Sequence, residues 1–335
     1  METVVPRFDR DHTRYRSAVE IGIAFSSEEQ SPADIVRNVR LAEDAGFTFG
    51  LISDHIHPWI DQQGHSGFVW SLLGAIAQTT ERFRIGTGVT CPMIRIHPAI
   101  VAHAAATVAS LMPGRFFLGV GTGENLNEHV TGAKWPAADE RLEMLEEAVA
   151  VIRKLWEGGY QTHRGKHYTV ENARIFDLPD QPIEIAVAAM QPQAAELAGR
   201  IGDALVNVAP KEEIIGKFEE GGGKGKPKYG QVTVCWAPSK EEAKKRAFEQ
   251  WPNALVEGSA SQELPLPSDF EQLVEDREPD DLEGTLPLGP DPDEFLKELK
   301  EYDDAGYTHV CIHQVGPDQE GFFAFATREL LPHYS

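Results

Sequence analysis

Proton transfer is the first chemistry that the sequence suggests, in the polar stretch SDHIHPW, which contains Asp54, His55, His57 and Trp59. The stretch follows an apolar, strand-like run, and a further histidine, His65, lies nearby. An imidazole titrates near neutral pH and a strand end holds it rigidly, so His55 is a candidate proton acceptor or oxyanion partner, with Trp59 as a pocket wall. Two other interpretations stay open: the histidines bind a metal, although no carboxylate-rich motif follows them, or His55 only satisfies local hydrogen bonds at a strand end.

The stretch GVGTGENLNE provides a carboxylate, Glu124, beside a run of small residues. Glycines at positions 119, 121 and 123 allow a planar ligand to approach the backbone next to Glu124. The pattern matches a dinucleotide-binding fingerprint only weakly, because Glu124 replaces the last glycine and the motif does not open the chain. The alternative role of Glu124 is to cap the helix that follows.

Other strand ends supply the remaining candidates. Gly88, in the stretch TGVTCP, has no side-chain bulk and would also let a ring system approach the backbone. Lys211 follows the stretch NVAP and either contacts an anion or begins a surface helix. Glu28 closes the first strand region and His313 lies in the last one, and both are candidates for contacts with a substrate.

All of these candidate residues occupy equivalent positions in the predicted fold, because each lies at or just after the end of a short, β-branched run. Eight such runs alternate with helical patterns, which indicates a parallel sheet covered on its faces by helices. Eight units predict a closed (β/α)8 barrel, or TIM barrel, with its chemistry at the carboxyl ends of the strands. The predicted strand runs are 19–25, 49–55, 83–90, 116–124, 183–190, 204–210, 230–237 and 309–315.

The other segments are predicted to be additions to one barrel domain, residues 19–335. Residues 158–180 alternate like a hairpin and residues 252–290 are Pro-rich and acidic, so both are expected to be inserted lids or subunit contacts. The glycine-rich residues 219–230 are predicted to form a flexible surface loop. Residues 1–18 are expected to form an N-terminal arm.

The composition of the chain limits the class of ligand and the cellular compartment that are expected. The 335 residues carry a net charge of −22 and no long basic cluster, which argues against nucleic acid and anionic membranes and favours a small-molecule substrate. No apolar run approaches the length of a membrane span, and the N-terminus has no apolar secretion-signal region. Cys91, Cys235 and Cys311 lie in apolar, strand-like stretches, so buried thiols and a reducing, cytoplasmic location are expected.

Together, the motifs resemble those of the luciferase-like superfamily of α/β barrels. The similar stretches are SDHIHPW, GTGVTCP, GVGTGENLNEHVTG, RLEMLEEAVAVIRKLW and VGPDQEGFF, and the similarity runs from about Val19 to Pro332. Within the superfamily they are similar to the deazaflavin-dependent dehydrogenases, the branch that includes the F420-dependent glucose-6-phosphate dehydrogenases. The resemblance implies an eight-stranded barrel with insertions, coenzyme F420 and a homodimer. It also implies hydride transfer between an alcohol or carbonyl carbon, with sugars and sugar phosphates among the candidate substrates, and C5 of the deazaflavin.

The resemblance also implies roles for individual residues. His55 would be the base or proton-transfer group, Trp59 the stabiliser of the reacting centre and Glu124 the carboxyl partner near the deazaflavin. Which of His55 and Glu124 takes the proton stays open, and no metal is expected. The positions expected to line the coenzyme are Asp54, Gly88, Val89, Thr90, Asn127, Ala188 and Ala189, with a cis peptide bond between Gly88 and Val89.

One region departs from the sugar-phosphate enzymes of this branch. Those enzymes bind the phosphate with a basic cluster, one member of which corresponds to Lys211. Here residues 247–296 contain one basic residue, Arg277, against fourteen acidic residues. A phosphate dianion that faces uncompensated carboxylates is repelled, so glucose 6-phosphate is an unfavourable substrate.

Two alternative functions use the same barrel. A luciferase-like monooxygenase would bind FMN, activate oxygen and reoxidise its flavin without passing hydride to an organic acceptor. A barrel that has lost its chemistry would serve as a coenzyme-binding subunit, and the presence of both His55 and Glu124 argues against that role.

Overall fold

The computed structural model describes residues 19–256, 258 and 260–334, so the expected arm at residues 1–18 lies outside the described residues. The strands in the described part are β1 (Glu20–Phe25), β2 (Phe49–Ile52), β3 (Arg84–Thr87), β4 (Phe116–Val120), β5 (Gln161–Arg164), β6 (Thr169–Ala173), β7 (Ile185–Ala188), β8 (Ala204–Asn207), β9 (Lys228–Val234) and β10 (His309–Gln314). The α-helices there are α1 (Pro32–Asp44), α2 (Val69–Thr79), α3 (Pro98–Leu111), α4 (Asn125–Glu128), α5 (Ala138–Trp156), α6 (Pro192–Ile201), α7 (Glu212–Phe218), α8 (Lys240–Gln250), α9 (Ala260–Glu263), α10 (Pro267–Leu273), α11 (Pro292–Ala305) and α12 (Gln319–Glu329).

Eight parallel strands close a barrel in the order β1-β10-β9-β8-β7-β4-β3-β2. The predicted (β/α)8 barrel is therefore confirmed, and each predicted strand run overlaps one barrel strand. The strands β5 and β6 pair antiparallel outside the barrel, which confirms the hairpin predicted for residues 158–180. Parallel strands place all their carboxyl ends at one mouth of the barrel, so the candidate residues meet there.

Helix α1 shows how the local sequence sets the boundaries of a covering helix. The side chain of Ser31 accepts a hydrogen bond from the backbone N–H of Asp34, and Pro32 occupies the first helical turn. The residues that α1 buries against the barrel are Ile35, Asn38, Val39 and Ala42. After the helix ends, Gly46 adopts a φ of 100°, a conformation that glycine adopts readily.

Stacked rings close the amino end of the barrel. Phe117 and Tyr229 stack with their ring centroids 5.1 Å apart, and the guanidinium of Arg84 lies 4.5 Å from the centroid of Phe117. Arg84 also donates a hydrogen bond to Tyr229 Oη at 2.6 Å and to Glu184 Oε1 at 2.9 Å. Only glycine fits at position 86, because a Cβ there would lie 2.2 Å from the ring of Phe117. Any internal cavity therefore opens toward the carboxyl ends of the strands.

The glycine-rich residues 219–230 form a loop only at positions 224–227, so the prediction of a loop over the whole stretch is wrong. A π-helical turn spans Glu219–Gly223, and β9 begins at Lys228, inside the predicted loop. A Cβ at Gly221 would lie 2.2 Å from the carbonyl oxygen of Glu196 in α6, and a Cβ at Gly199 would lie 2.2 Å from that of Phe218. These glycines allow close contact between two backbones, a role that their sequence spacing alone did not reveal.

The acidic insertion at 252–290 covers part of the carboxyl end of the barrel. It contains the short helices α9 and α10, and Phe270 of α10 is fully buried. Phe270 packs edge-on against Trp59 with ring centroids 5.3 Å apart. The nearly buried Lys244 of α8 lies 2.7 Å from Asp280 and 2.6 Å from Glu283, which fastens the insertion to the barrel. Part of its excess negative charge is thereby compensated.

The three cysteines are free and buried, as the sequence predicts. Burial raises the pKa of the Cys311 and Cys235 thiols, which keeps them protonated and unreactive. Within the described residues, none of the helices combines the length and the apolar character that crossing a bilayer requires.

Candidate active site

The imidazole of His55 lies between two carboxylates at the carboxyl end of the barrel. Its Nδ1 atom is 3.0 Å from Oε1 of Glu28, which follows β1, and its Nε2 atom is 3.8 Å from Oε2 of Glu124, which follows β4. The side chain of Glu28 is 1% exposed and that of Glu124 is 30% exposed. The buried carboxylate therefore orients the ring, while the more exposed one faces the cavity described below.

Glu28 is held in place by two hydroxyl groups. Ser26 Oγ donates to Glu28 Oε2 at 2.7 Å, and Ser53 Oγ donates to the same oxygen at 2.8 Å. The other oxygen, Oε1, has no aligned hydrogen-bond donor among the described residues, so its 3.0 Å contact with His55 is an ion pair. Burial opposes ionisation of Glu28, but the charge of His55 and these two hydroxyl groups hold the pKa of Glu28 well below its usual value.

The same pair changes the titration of the imidazole. Burial, the largest single effect, would lower the pKa of His55, but the charge and close contact of Glu28 and the charges of Glu124 and Asp54 together outweigh it and raise the pKa of His55 to about 9. His55 is therefore an imidazolium at neutral pH. The indole of Trp59 lies beside it, with the two ring centroids 5.1 Å apart.

Asn127 connects the segments that carry His55 and Glu124. Its Oδ1 atom accepts a hydrogen bond from the backbone N–H of Ile56 at 2.9 Å, and its Nδ2 atom donates to Glu124 Oε2 at 3.2 Å. Asn127 is 2% exposed, so water does not compete for these hydrogen bonds. Asp54 is also buried, and its Oδ2 atom accepts a hydrogen bond from Thr90 Oγ1 at 2.7 Å.

A cavity of about 550 Å³ opens at this end of the barrel. This volume is typical of pockets for small ligands. The predicted site residues that line the cavity are Glu28, His55, Trp59, Gly88, Val89, Glu124, Ala188 and His313. The predicted residues outside this lining are Asp54, Thr90, Asn127, Ala189 and Lys211. The first four of these five are buried directly behind the wall, which they support through hydrogen bonds and packing.

One wall of the cavity suits a flat ring system. The peptide bond between Gly88 and Val89 is cis, as the resemblance implies. Gly88, Val89 and Ala188 present little side-chain bulk, and a Cβ at Gly88 would lie 2.9 Å from Cβ of Leu51. A planar ligand can approach this backbone closely, so the residues present fit a deazaflavin.

His313 and Lys211, which were both predicted to contact the substrate, have different surroundings. His313 lines the cavity, but its Nε2 atom lies 2.7 Å from Glu29 Oε2 and its Nδ1 atom 3.3 Å from Thr233 Oγ1. Both ring nitrogens therefore have protein partners, and the ring packs edge-on against Trp251 at 4.5 Å. Lys211 is exposed at the N-cap position of α7, beside the lining residue Pro210.

Several residues of this region were not identified from the sequence. Ser26 and Ser53 follow β1 and β2, and the rule that strand ends carry the chemistry could have found them. Arg95 and Trp251 lie in connecting segments and Phe270 lies in the short helix α10 of the insertion, and no sequence signal distinguishes them from their neighbours.

The fold is that of a known class of barrel enzymes. The model of the luciferase-like monooxygenase family matches residues 15–309, and the chain belongs to this family. Among its relatives is an F420-dependent glucose-6-phosphate dehydrogenase of Microbacterium testaceum, 33% identical over 327 residues, which cover 94% of this chain and 97% of the relative. An enzyme of the same name from Segniliparus rotundus is also 33% identical, with the same coverage of both chains.

Solved structures show the same barrel. An F420-dependent secondary alcohol dehydrogenase, solved with an F420–acetone adduct, is 30% identical and superposes with a TM-score of 0.88, covering 96% of this chain and 99% of the other. The coenzyme F420-dependent tetrahydromethanopterin reductase of Methanopyrus kandleri has a TM-score of 0.75 with 22% identity, covering 95% of this chain and 99% of the other, and supports the fold alone.

Proposed function

We propose that this protein is an F420-dependent oxidoreductase that transfers hydride between an alcohol or carbonyl carbon and the C5 atom of the deazaflavin. The observation that carries the proposal is the position of His55 between Glu28 and Glu124, on a cavity that is also lined by Gly88, Val89 and Ala188, where a flat ring fits. The relatives named for F420-dependent dehydrogenation of glucose 6-phosphate and of secondary alcohols support it.

The protein residues have a limited task in this reaction. Bound F420 supplies the hydride acceptor or donor, a chemistry that belongs to the coenzyme. Gly88, Val89 and Ala188 would hold its ring system against the barrel wall, with Asp54, Thr90, Asn127 and Ala189 supporting that wall. His55 accepts the hydroxyl proton when an alcohol is oxidised and donates it when a carbonyl is reduced.

Glu124, Glu28 and Trp59 complete the proposed site. The charge of Glu124 lies on the cavity side of the imidazole and stabilises its protonated form, while Glu28 fixes the ring from behind. Trp59 excludes water from the reacting atoms, because it is packed between His55 and the buried Phe270.

The charge of the cavity favours an uncharged substrate. Among the described residues that line it, none is Lys or Arg, whereas Glu28, Glu124 and Glu298 contribute carboxylates. A phosphorylated sugar would bring a dianion to this lining without a lysine or arginine to receive it. Neutral alcohols and their carbonyl counterparts are therefore the proposed substrates, with His313 contributing the face or edge of its ring.

The test is a pair of titrations followed by a turnover assay. Purified protein is titrated with F420 and with FMN, and neutral secondary alcohols and glucose 6-phosphate are then tested for loss of the absorbance of the oxidised deazaflavin. Binding of F420 with reduction by a neutral alcohol supports the proposal. Preferential binding of FMN with oxygen consumption would replace it with a monooxygenase, and coenzyme binding without any turnover would indicate a coenzyme-binding subunit.

We also propose that the protein is a cytoplasmic homodimer that associates through α2 and α3. These adjacent helices contain no Asp, Glu, Lys or Arg, although a quarter of the chain is charged. Phe68 and Ile100 are 54% and 59% exposed and line a cavity of about 510 Å³. An uncharged surface with exposed apolar residues is typical of the centre of a subunit interface. The free, buried cysteines are consistent with a reducing compartment.

The dimer is tested by measuring mass in solution by light scattering. Ile100→Lys should shift the protein toward the monomer, because it places a charge in the centre of the proposed interface. The matched control is Tyr160→Lys, since Tyr160 is 68% exposed but lies just before the β5–β6 hairpin. A wild-type monomer, or a dimer that Ile100→Lys leaves intact, would contradict this interface.

A further inference from the structure

A single guanidinium, that of Arg95, joins the two segments that carry His55 and Glu124. Arg95 lies between β3 and α3, and its side chain is 8% exposed. Its Nη2 atom donates to Asp54 Oδ1 at 2.9 Å and to the backbone carbonyl oxygen of Asp54 at 3.0 Å. On the other side, its Nε atom lies 3.5 Å from Oε1 of Glu128, and its backbone N–H donates to Oε2 of Glu128 at 2.7 Å.

The two anchors of Arg95, the carboxylates of Asp54 and Glu128, are close in the chain to the acid–base pair of His55 and Glu124. Asp54 immediately precedes His55, and Glu128 lies one helical turn after Glu124. The side chains of Asp54 and Glu128 are 0% exposed, so water does not compete for these contacts. A planar guanidinium with several donors in fixed directions can set the relative position of two carboxylates, which the flexible ammonium of lysine cannot do.

Arg95 also balances charge next to the imidazole. The charged groups that face His55 are Glu28 and Glu124 in direct contact, with Asp54 behind them, and Glu128 is the next carboxylate beyond Arg95. Arg95 is the cation that pairs with Asp54 and Glu128 among the described residues. Without it, two buried carboxylates would be uncompensated beside the site, which is unfavourable in a water-poor environment.

We propose that Arg95 is a positioning residue that holds His55 and Glu124 at their working separation by clamping Asp54 and Glu128. This inference rests on the proposed function for its kinetic consequence and on the geometry alone for its effect on His55. Arg95 does not touch the reacting atoms in this role. It transmits the geometry of one loop to the other, so that the proton-transfer group and its carboxyl partner keep their 3.8 Å separation.

Four proteins test the role: the wild type, Arg95→Met, Arg95→Lys and the control Arg84→Met. Arg84 is also a partly buried arginine with a carboxylate partner, Glu184, but it lies at the opposite end of the barrel. Steady-state kinetics with F420 and propan-2-ol give kcat and KM, a titration gives the Kd of F420, and thermal unfolding gives Tm. A fourth measurement, NMR titration of the His55 imidazole in coenzyme-free protein, does not depend on turnover.

Arg95→Met should lower kcat by about 10²-fold, the loss that a small displacement of catalytic groups produces, with a change of less than about threefold in the Kd of F420. Arg95→Lys should regain only part of that loss, because lysine restores the charge and not the fork geometry. The pKa of His55 should increase further in Arg95→Met, because the charge of Asp54 is no longer neutralised. Arg84→Met should lower Tm while leaving kcat and the titration of His55 as in the wild type.

A folded Arg95→Met protein with wild-type kcat and an unchanged His55 titration would overturn the proposal, as would equal effects of Arg95→Met and Arg84→Met. If Arg95→Met does not fold, Glu128→Gln removes only the charge of the Glu128 contact and should still lower kcat by about tenfold while leaving the Kd of F420 unchanged. Unchanged kcat in Glu128→Gln would then reject the clamp. A wild-type protein that turns over no alcohol would contradict the proposed function, and the titration of His55 alone would then decide the role of Arg95.

Discussion

The Nδ1 atom of His55 lies 3.0 Å from Oε1 of Glu28, and both side chains are almost completely buried. A buried ion pair of this kind couples the charge of the proton-transfer group to one carboxylate. Glu28 therefore determines the pH at which His55 changes charge, whereas Glu124 acts from the cavity side. The pH dependence of turnover and that of stability both follow from this coupling.

The two directions of the reaction should have opposite pH dependence. Because the pKa of His55 is raised to about 9, kcat/KM for alcohol oxidation should increase with pH up to about 9, as the imidazole loses its proton and becomes a base. For carbonyl reduction, kcat/KM should decrease over the same pH range, because the imidazolium that donates the proton is lost. Glu28→Gln removes the main charge that raises this pKa, so the midpoint should move toward the ordinary value of 6.5. If Glu28→Gln leaves the midpoint of the pH profile unchanged, the profile does not report the titration of His55.

The same ion pair should make stability depend on pH. The pKa of His55 is higher in the folded protein than its ordinary value of 6.5, so the stabilisation is complete below about pH 6.5 and is lost as the pH rises through about 9. Urea unfolding between these values should show a decreasing free energy of unfolding. In His55→Gln this contribution should disappear, and an identical decrease in the variant would assign the effect to other groups.

Removal of the imidazole should affect chemistry more than coenzyme binding. His55→Ala should lower kcat by about 10² to 10⁴, the usual contribution of general acid–base catalysis, while the Kd of F420 stays nearly unchanged. The control is His65→Ala, because His65 is an exposed histidine in the same connecting segment. Wild-type turnover in His55→Ala would exclude the residue from the mechanism.

Lys211 should contribute little to a neutral substrate. It is exposed outside the lining of the cavity, so Lys211→Ala should leave the KM of a neutral alcohol unchanged. If phosphorylated substrates react at all, Lys211→Ala should raise the KM of those substrates selectively. Parallel measurements with propan-2-ol and glucose 6-phosphate make the comparison, and an equal increase in both KM values would show that Lys211 binds no phosphate.

Phe270 should stabilise the active site through Trp59. The fully buried ring packs against Trp59, so Phe270→Ala should lower the free energy of unfolding by about 3 to 5 kcal/mol and weaken substrate binding. Leu273→Ala is the matched control, because Leu273 lies in the same helix and is 51% exposed. Urea unfolding and the KM of an alcohol provide the two measurements. Equal effects of the two substitutions would mean that the contact with Trp59 is unimportant.

The strands were predictable from local sequence patterns, and the proximity of His55 to Glu124 was predictable from the topology of a parallel barrel. Apolar β-branched runs mark the strands, and parallel topology brings their carboxyl ends together wherever they lie in the chain. The cis bond between Gly88 and Val89 was expected from the resemblance and is confirmed. The roles assigned to the site residues remain predictions that the experiments above address.

The contacts that hold the site together were less predictable because they join distant loops. Arg95 meets Asp54 across 41 positions of the chain, and Phe270 of α10 meets Trp59 of the loop after β2. Nothing in the local pattern around Arg95 or Phe270 specifies such partners, since loop conformation determines them. The same reason explains the error at residues 219–230, where glycines serve a contact with α6 that only the folded chain reveals.

The stacked rings of Phe117 and Tyr229 have a kinetic consequence. They seal one end of the barrel, so coenzyme and substrate must share the opposite entrance. Whichever molecule sits deeper has to arrive first and depart last, which makes an ordered sequence of binding and release a property of the architecture rather than of any single contact.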